Sequence, residues 1–69
     1  MATWHQQQAK HVRLFHPTQW TVLIDPPNEF RACMTFSTKE LAEVYMRNLA
    51  ANNPGAHTHA CILRPCKLD

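Results

Sequence analysis

The sequence has little glycine, few acidic side chains and no long apolar stretch, and each shortage excludes a class of protein. Only one of its 69 residues is glycine, so a glycine-rich loop that cradles phosphate is excluded. Its five acidic residues form no pair at catalytic spacing. No apolar run approaches the ~20 residues of a membrane-spanning helix. The run at residues 22–24, for example, is three residues long. We therefore expect neither a phosphate-loop enzyme nor a membrane span.

Length and charge indicate one small domain without a strongly charged partner. A chain this short buries only roughly 60% of the surface that its unfolded form exposes, which leaves little room for a ligand-burying cleft. Seven Lys and Arg residues against five Asp and Glu give a net charge of +2. The basic residues are scattered rather than clustered, so nucleic acid is not favoured as a partner. We expect a protein that is not an enzyme.

Cysteine usage and the first residues bear on the cellular compartment. Three cysteines are an odd number, and their spacing suggests no disulfide framework. The first ten residues lack the apolar stretch of a secretory signal. We therefore expect a cytoplasmic protein with reduced thiols.

Alternation of apolar and polar residues predicts three strands in the first half of the chain. Residues 11–16, 19–25 and 29–36 each place one set of side chains on one face and the intervening set on the other. Residues 1–10 are polar and show no periodicity, so they are predicted to form a flexible N-terminal arm. A single domain is then expected over residues 11–69.

A helix and a last strand are predicted to follow. Ser37 and Glu40 fit a capping box that begins a helix, which runs to about residue 51. The only glycine, Gly55, lies in the turn after it, and residues 56–64 read as a strand. The predicted fold is α+β, in the order β-β-β-α-β: a small antiparallel or mixed sheet of three to four strands with one helix packed on one face. The strand order stays open, because the helical crossover is long enough to join parallel strands.

The same alternation predicts which side chains face the helix. The expected core is Val12, Leu14, Trp20, Val22, Ile24, Phe30, Ala32, Met34, Phe36, Leu41, Tyr45, Leu49 and Ile62. The opposite face is then predicted to carry Arg13, Phe15, Leu23 and Arg31. Aromatic and arginine side chains are enriched where proteins bind proteins, although an antiparallel sheet often leaves one face in water without any such role.

The leading hypothesis is therefore a protein–protein interaction module. We expect a small accessory or regulatory protein that docks on another protein, of inhibitor or adaptor type, through the open sheet face or an edge strand. Arg13, Phe15, Leu23 and Arg31 are the predicted contact residues. An unpaired edge could also bind a second copy, so a homodimer is an alternative partner.

Two other functions compete with this hypothesis. His57, His59 and Cys61 alternate along the predicted last strand, and Cys66 follows, so the four could ligate zinc. Their spacing matches no standard zinc finger, and a straight strand spreads ligands too far apart for one ion. An open sheet face could also bind single-stranded nucleic acid, but it would offer one aromatic side chain and little charge.

Overall fold

The computed structural model describes residues 2–27 and 30–67 and contains six elements in this range. They are α1 (Trp4–Phe15), β1 (Trp20–Ile24), β2 (Ala32–Phe36), α2 (Lys39–Asn52), α3 (Pro54–His57) and β3 (Ala60–Leu63). The α+β class is confirmed. The predicted element order is wrong at its first member, because a helix takes the place of the first strand.

The three strands form one antiparallel sheet in the order β2-β1-β3. β1 is the central strand, and it pairs Val22 with Met34 of β2 and with Ile62 of β3. Both pairings are antiparallel, so the parallel arrangement that the crossover allowed does not occur between the described strands. The long connection through α2 and α3 carries the chain from one edge of the sheet to the other.

The predicted strand at residues 11–16 is wrong, since residues 11–15 belong to α1. Residues 4–10, predicted as an arm, form the first part of the same helix. The helix begins at a capping box: the Gln6 amide donates to the Thr3 hydroxyl at 3.1 Å, and the Thr3 amide donates to the Gln6 side chain at 3.0 Å. The alternation over residues 11–16 was too short to distinguish a strand from one face of a helix.

The second helix begins one residue later than predicted. Its N-cap is Thr38, whose hydroxyl accepts from the Leu41 amide at 3.2 Å, rather than Ser37. The helix ends at Asn52, close to the predicted end. The capping signal in the sequence therefore located this helix to within a residue or two.

A short third helix replaces the first part of the predicted last strand. The Asn53 side chain caps it by accepting from the Ala56 amide at 3.2 Å, and Pro54 occupies its first turn, where the missing amide proton costs nothing. Gly55 lies inside this helix without a positive φ, so its predicted turn role is wrong. The strand is thereby shortened to Ala60–Leu63.

Helices cover both faces of the sheet, where one was predicted. On one face Val22 and Ile24 pack against α2 and α3 and form the core with Ala42 and Ala56. On the other face α1 covers β1, so that Leu23 is fully buried.

Several predicted core residues lie at the surface instead. Val22 and Ile24 are buried as predicted, and Val12 is buried although it lies on a helix. Phe30 is almost fully exposed, at 99%, and Leu14 and Leu41 are at least half exposed. The core is therefore smaller than the alternation predicted, and more apolar surface faces solvent.

Candidate interaction surfaces

The four predicted contact residues do not form one surface. Leu23 lies at the centre of the sheet with no exposed area, so the expectation that it faces outward is wrong. Arg13 and Phe15 are exposed but lie near the end of α1 rather than on a strand. Arg31 precedes β2 and lies near the other end of α1, where its guanidinium is 5.6 Å from the centre of the Trp4 ring.

Arg31 contributes to structure at the end of β1. Its Nε donates to Oδ1 of Asp25 at 2.7 Å, and its charge is therefore partly neutralised. Both side chains are substantially exposed, so this ion pair adds little stability. Together with the Trp4 contact, the pair links the start of α1 to the turn between β1 and β2.

A cavity of about 250 Å³ lies between α1 and the C-terminal segment. Its lining comprises Ala9, Val12, Arg13, His16, Leu63, Arg64 and Cys66. The C-terminal segment is held against the end of α1 because the Lys67 amide donates to the Pro17 carbonyl at 2.9 Å. The Cys66 thiol also lies 3.7 Å from that carbonyl oxygen. Arg13 thus lines a cleft rather than an open sheet.

The predicted zinc ligands are not assembled. His57 belongs to α3, His59 to the following turn and Cys61 to β3, so the three do not alternate along one strand. Cys66 lies instead beside the end of α1. Within residues 2–27 and 30–67, no three His, Cys, Asp or Glu side chains are grouped so that they could hold a metal ion.

The thiols of the sheet are kept in their protonated form. Burial raises the pKa of Cys33, and burial raises that of Cys61 despite an opposing hydrogen bond from the Leu23 backbone. Thiolates rather than thiols attack electrophiles and ligate metals. Neither residue therefore has the electrostatic setting of a nucleophile or a metal ligand.

The nucleic-acid alternative depended on an open sheet face, and α1 and α2 occupy the two faces. Phe15, the aromatic side chain predicted for that face, lies on α1, where its ring is 4.7 Å from the ring of His11. The described part of the chain therefore offers no open sheet face on which bases could stack, which this alternative required.

The outer edge of β2 presents backbone groups that no other described segment pairs. The Asp25 amide donates to the His59 carbonyl at 3.1 Å. This bond continues the β1–β3 register, and hydrogen-bonded pairs alternate along an antiparallel ladder. The odd-numbered residues of β1 therefore bond to β3, and the even-numbered residues of β1 bond to β2. The register pairs these with even-numbered residues of β2. Cys33 and Thr35 therefore point their N–H and C=O groups away from the sheet.

This edge also lacks the features that usually prevent strand pairing. The β2 sequence, Ala32–Phe36, contains no charge and no proline, and its register with β1 is uninterrupted. Natural edge strands are commonly protected by lysine, proline or a bulge. Each edge strand is flanked by one arginine, Arg31 before β2 and Arg64 after β3, but only β3 is also followed by a proline, Pro65, which cannot donate to a ladder. Of the two edges, that of β2 is the better acceptor for another strand.

Apolar side chains are exposed on both β2 and α2. Met34 on β2 and Leu41 and Val44 on α2 are each between 39% and 50% exposed. Tyr45 lies on the same side of α2, one turn after Leu41, and its ring is 5.4 Å from the ring of Phe36. Val44 lies about 160° around α2 from the buried Ala42 and so faces away from the sheet. We call the exposed side chains of Met34 and Leu41, together with the unpaired side of β2, the β2 edge surface.

No family model matches the chain, and neither a curated protein nor a solved structure is significantly similar to it. No described helix has both the length and the apolar character needed to cross a bilayer. The surfaces of this chain are therefore the basis for its proposed function.

Proposed function

We propose that this chain is a small non-enzymatic interaction module that binds an extended protein segment along the β2 edge surface. One observation carries the proposal: helices cover both faces of the sheet, whereas the edge of β2 is unpaired and uncharged. An exposed strand edge accepts a further strand through main-chain hydrogen bonds, and neighbouring side-chain contacts give specificity. The open-face version of the hypothesis is replaced by its edge-strand version.

Exposed apolar side chains supply the binding energy in this proposal. Main-chain hydrogen bonds to a bound strand replace hydrogen bonds to water, so each contributes only about 0.5–1.5 kcal/mol. A bound strand therefore needs apolar contact as well. Met34 lies on β2 between Cys33 and Thr35, and its side chain and that of Leu41 on α2 are partly exposed. An accessory or regulatory protein that docks by this edge needs no catalytic group.

We assign the module to the cytoplasm. All three cysteines are free in the structure, and thiols remain reduced in that compartment. Cys33 lies on the proposed binding edge, where an oxidising environment would expose it to unwanted disulfide exchange.

The test is affinity capture from a lysate of the native host with three forms of the chain. Met34→Lys places a charge on the β2 edge surface, whereas Leu14→Lys places the same charge on the exposed face of α1 and serves as the control. We expect wild type and Leu14→Lys to capture the same protein, and Met34→Lys to capture at least about tenfold less. Matching circular dichroism melts establish that the variants fold. Equal capture by all three forms would refute the proposal.

A further inference from the structure

We propose that the cavity between α1 and the C-terminal segment binds a small organic anion, which has a phosphate or carboxylate head and a short aliphatic body. The cavity lies beside β3, at the opposite edge of the sheet from β2. This site is therefore independent of the edge binding proposed above. Its lining combines two arginines with an apolar wall, and each part is complementary to one half of such a ligand.

The two arginines of the cavity, Arg13 and Arg64, are brought together by the fold. Arg13 lies in the last turn of α1, and Arg64 directly follows β3. The segment after β3 is fixed against the end of α1, because Pro65 is buried and the Lys67 amide donates to the Pro17 carbonyl. Two positive charges from distant parts of the chain therefore line one cavity.

Two backbone acceptors beside the cavity are already engaged, whereas the arginine donors are not. The Val12 carbonyl accepts from the His16 amide at 2.7 Å, and the Pro17 carbonyl accepts from the Lys67 amide at 2.9 Å. In the described part of the chain, neither arginine side chain of the cavity donates to a protein group or pairs with a carboxylate. A guanidinium presents five N–H donors and no acceptor. The complementary group therefore supplies acceptors and negative charge, as a phosphate or a carboxylate does.

The acidic side chains that the structure describes lie away from the cavity. Asp25 follows β1 and is paired with Arg31, whereas the cavity adjoins Leu63, which pairs with the start of β1. Glu40 and Glu43 belong to α2, which packs on the face of the sheet opposite α1. Among the described residues no carboxylate lines the cavity, so its positive charge is left for a ligand.

The rest of the lining sets the size and the apolar part of the ligand. Ala9 and Val12 on α1 and Leu63 on β3 present aliphatic side chains to the cavity. Its volume of about 250 Å³ is slightly below the ~300 Å³ at which pockets for drug-sized molecules begin. The ligand is therefore smaller than such molecules, and one anionic group on a short aliphatic chain matches both the size and the lining.

The test is a titration of nitrogen-15-labelled protein with butyl phosphate and with pentanoate, followed by the backbone amide shifts at constant ionic strength. Inorganic phosphate and acetate are the matching probes without the chain. We expect saturable shifts at the cavity residues, with a millimolar Kd for the tighter organic anion. Burial of each methylene is worth about fourfold in affinity, so this anion should bind at least about tenfold more tightly than its short counterpart. Its head group identifies the class of ligand.

Four variants separate the cavity from general attraction to a basic protein. Arg13→Gln and Arg64→Gln each remove one charge from the cavity and should weaken binding at least about fivefold. Arg47→Gln removes the same charge from the exposed side of α2 and should bind as wild type does. Ala9→Phe fills the apolar wall and should abolish the advantage of the aliphatic chain. Matching circular dichroism melts establish that the variants fold.

Three results would overturn the proposal. The first is the absence of saturable shifts at the cavity residues with either organic anion up to about 20 mM. The second is equal weakening by Arg47→Gln, since binding would then reflect the charge of the whole protein. The third is an aliphatic chain that adds no affinity, or one whose advantage persists in Ala9→Phe, because the chain would then lie outside the cavity.

Discussion

Replacing Thr21 with valine should stabilise the fold, because the Thr21 hydroxyl is buried without a partner. Thr21 has no exposed area, and its Oγ1 makes no hydrogen bond within the described residues. A buried hydroxyl left unsatisfied costs about 1–3 kcal/mol. Valine keeps the β-branched shape and exchanges the hydroxyl for a methyl group, so we expect Thr21→Val to raise the free energy of unfolding by about 1–2 kcal/mol.

Thermal denaturation followed by circular dichroism measures this effect. For a domain of this size each kcal/mol shifts the midpoint by about 4–8 °C, so the expected rise is readily measured. Thr35→Val is the matched control: Thr35 faces Thr21 across the ladder, but it is only half-buried on the edge strand. Its hydroxyl can reach water, and we expect a change within about 0.5 kcal/mol. All forms are compared at the same protein concentration.

A loss of stability in Thr21→Val would contradict this prediction. A decrease of about 0.5 kcal/mol or more would mean that the hydroxyl donates to a group in the folded protein and that the burial between α1 and the sheet differs from that described. A Thr35→Val variant stabilised as much as Thr21→Val would attribute the gain to the β-propensity of valine rather than to the buried hydroxyl.

Two further predictions follow from the burial of β1 and β3. Leu23→Ala should cost about 2–5 kcal/mol, enough to unfold much of a domain this small at room temperature, whereas Leu14→Ala on the exposed face of α1 should cost less than about 1 kcal/mol; urea denaturation measures both, and similar losses would contradict the buried position of Leu23. Because burial raises the folded-state pKa of Cys61 above its ordinary value of 9.0, the folded state holds this proton more tightly, and the resulting stability is present below pH 9 and is lost as pH rises through the raised value. The thermal midpoint of wild type should therefore fall more between pH 9 and 10 than that of Cys61→Ser, and parallel curves would show that Cys61 does not contribute.

Local sequence signals located the elements that depend on local interactions. The alternation in residues 19–25 correctly predicted the central strand, and the polar residues at the start of α2 located that helix with an error of one residue at its cap. The helix α1 was missed although its signal is present: Thr3 and Gln6 form the same kind of capping box. Weighing that signal against six alternating residues would have favoured the helix, since capping fixes a boundary and short alternation does not.

Alternation also misled the prediction of the contact surface. It correctly placed Leu23 on the face opposite Val22, but exposure of that face depended on whether anything covers it. Because residues 4–15 form a helix, they cover this face and bury Leu23, while Phe15 is turned outward on the same helix. A period of two reports which side chains share a face and carries no information on what packs against that face.

Interactions between residues close in the chain specify the class of the fold, the central strand and the second helix, so these could be predicted from the sequence. The lack of charge in β2 is a matter of composition. The strand order, the covering of both faces and the unpaired edge are visible in the three-dimensional fold alone. Those features arise from contacts between residues far apart, such as Thr21 with Leu63, and local patterns do not encode which distant segments meet.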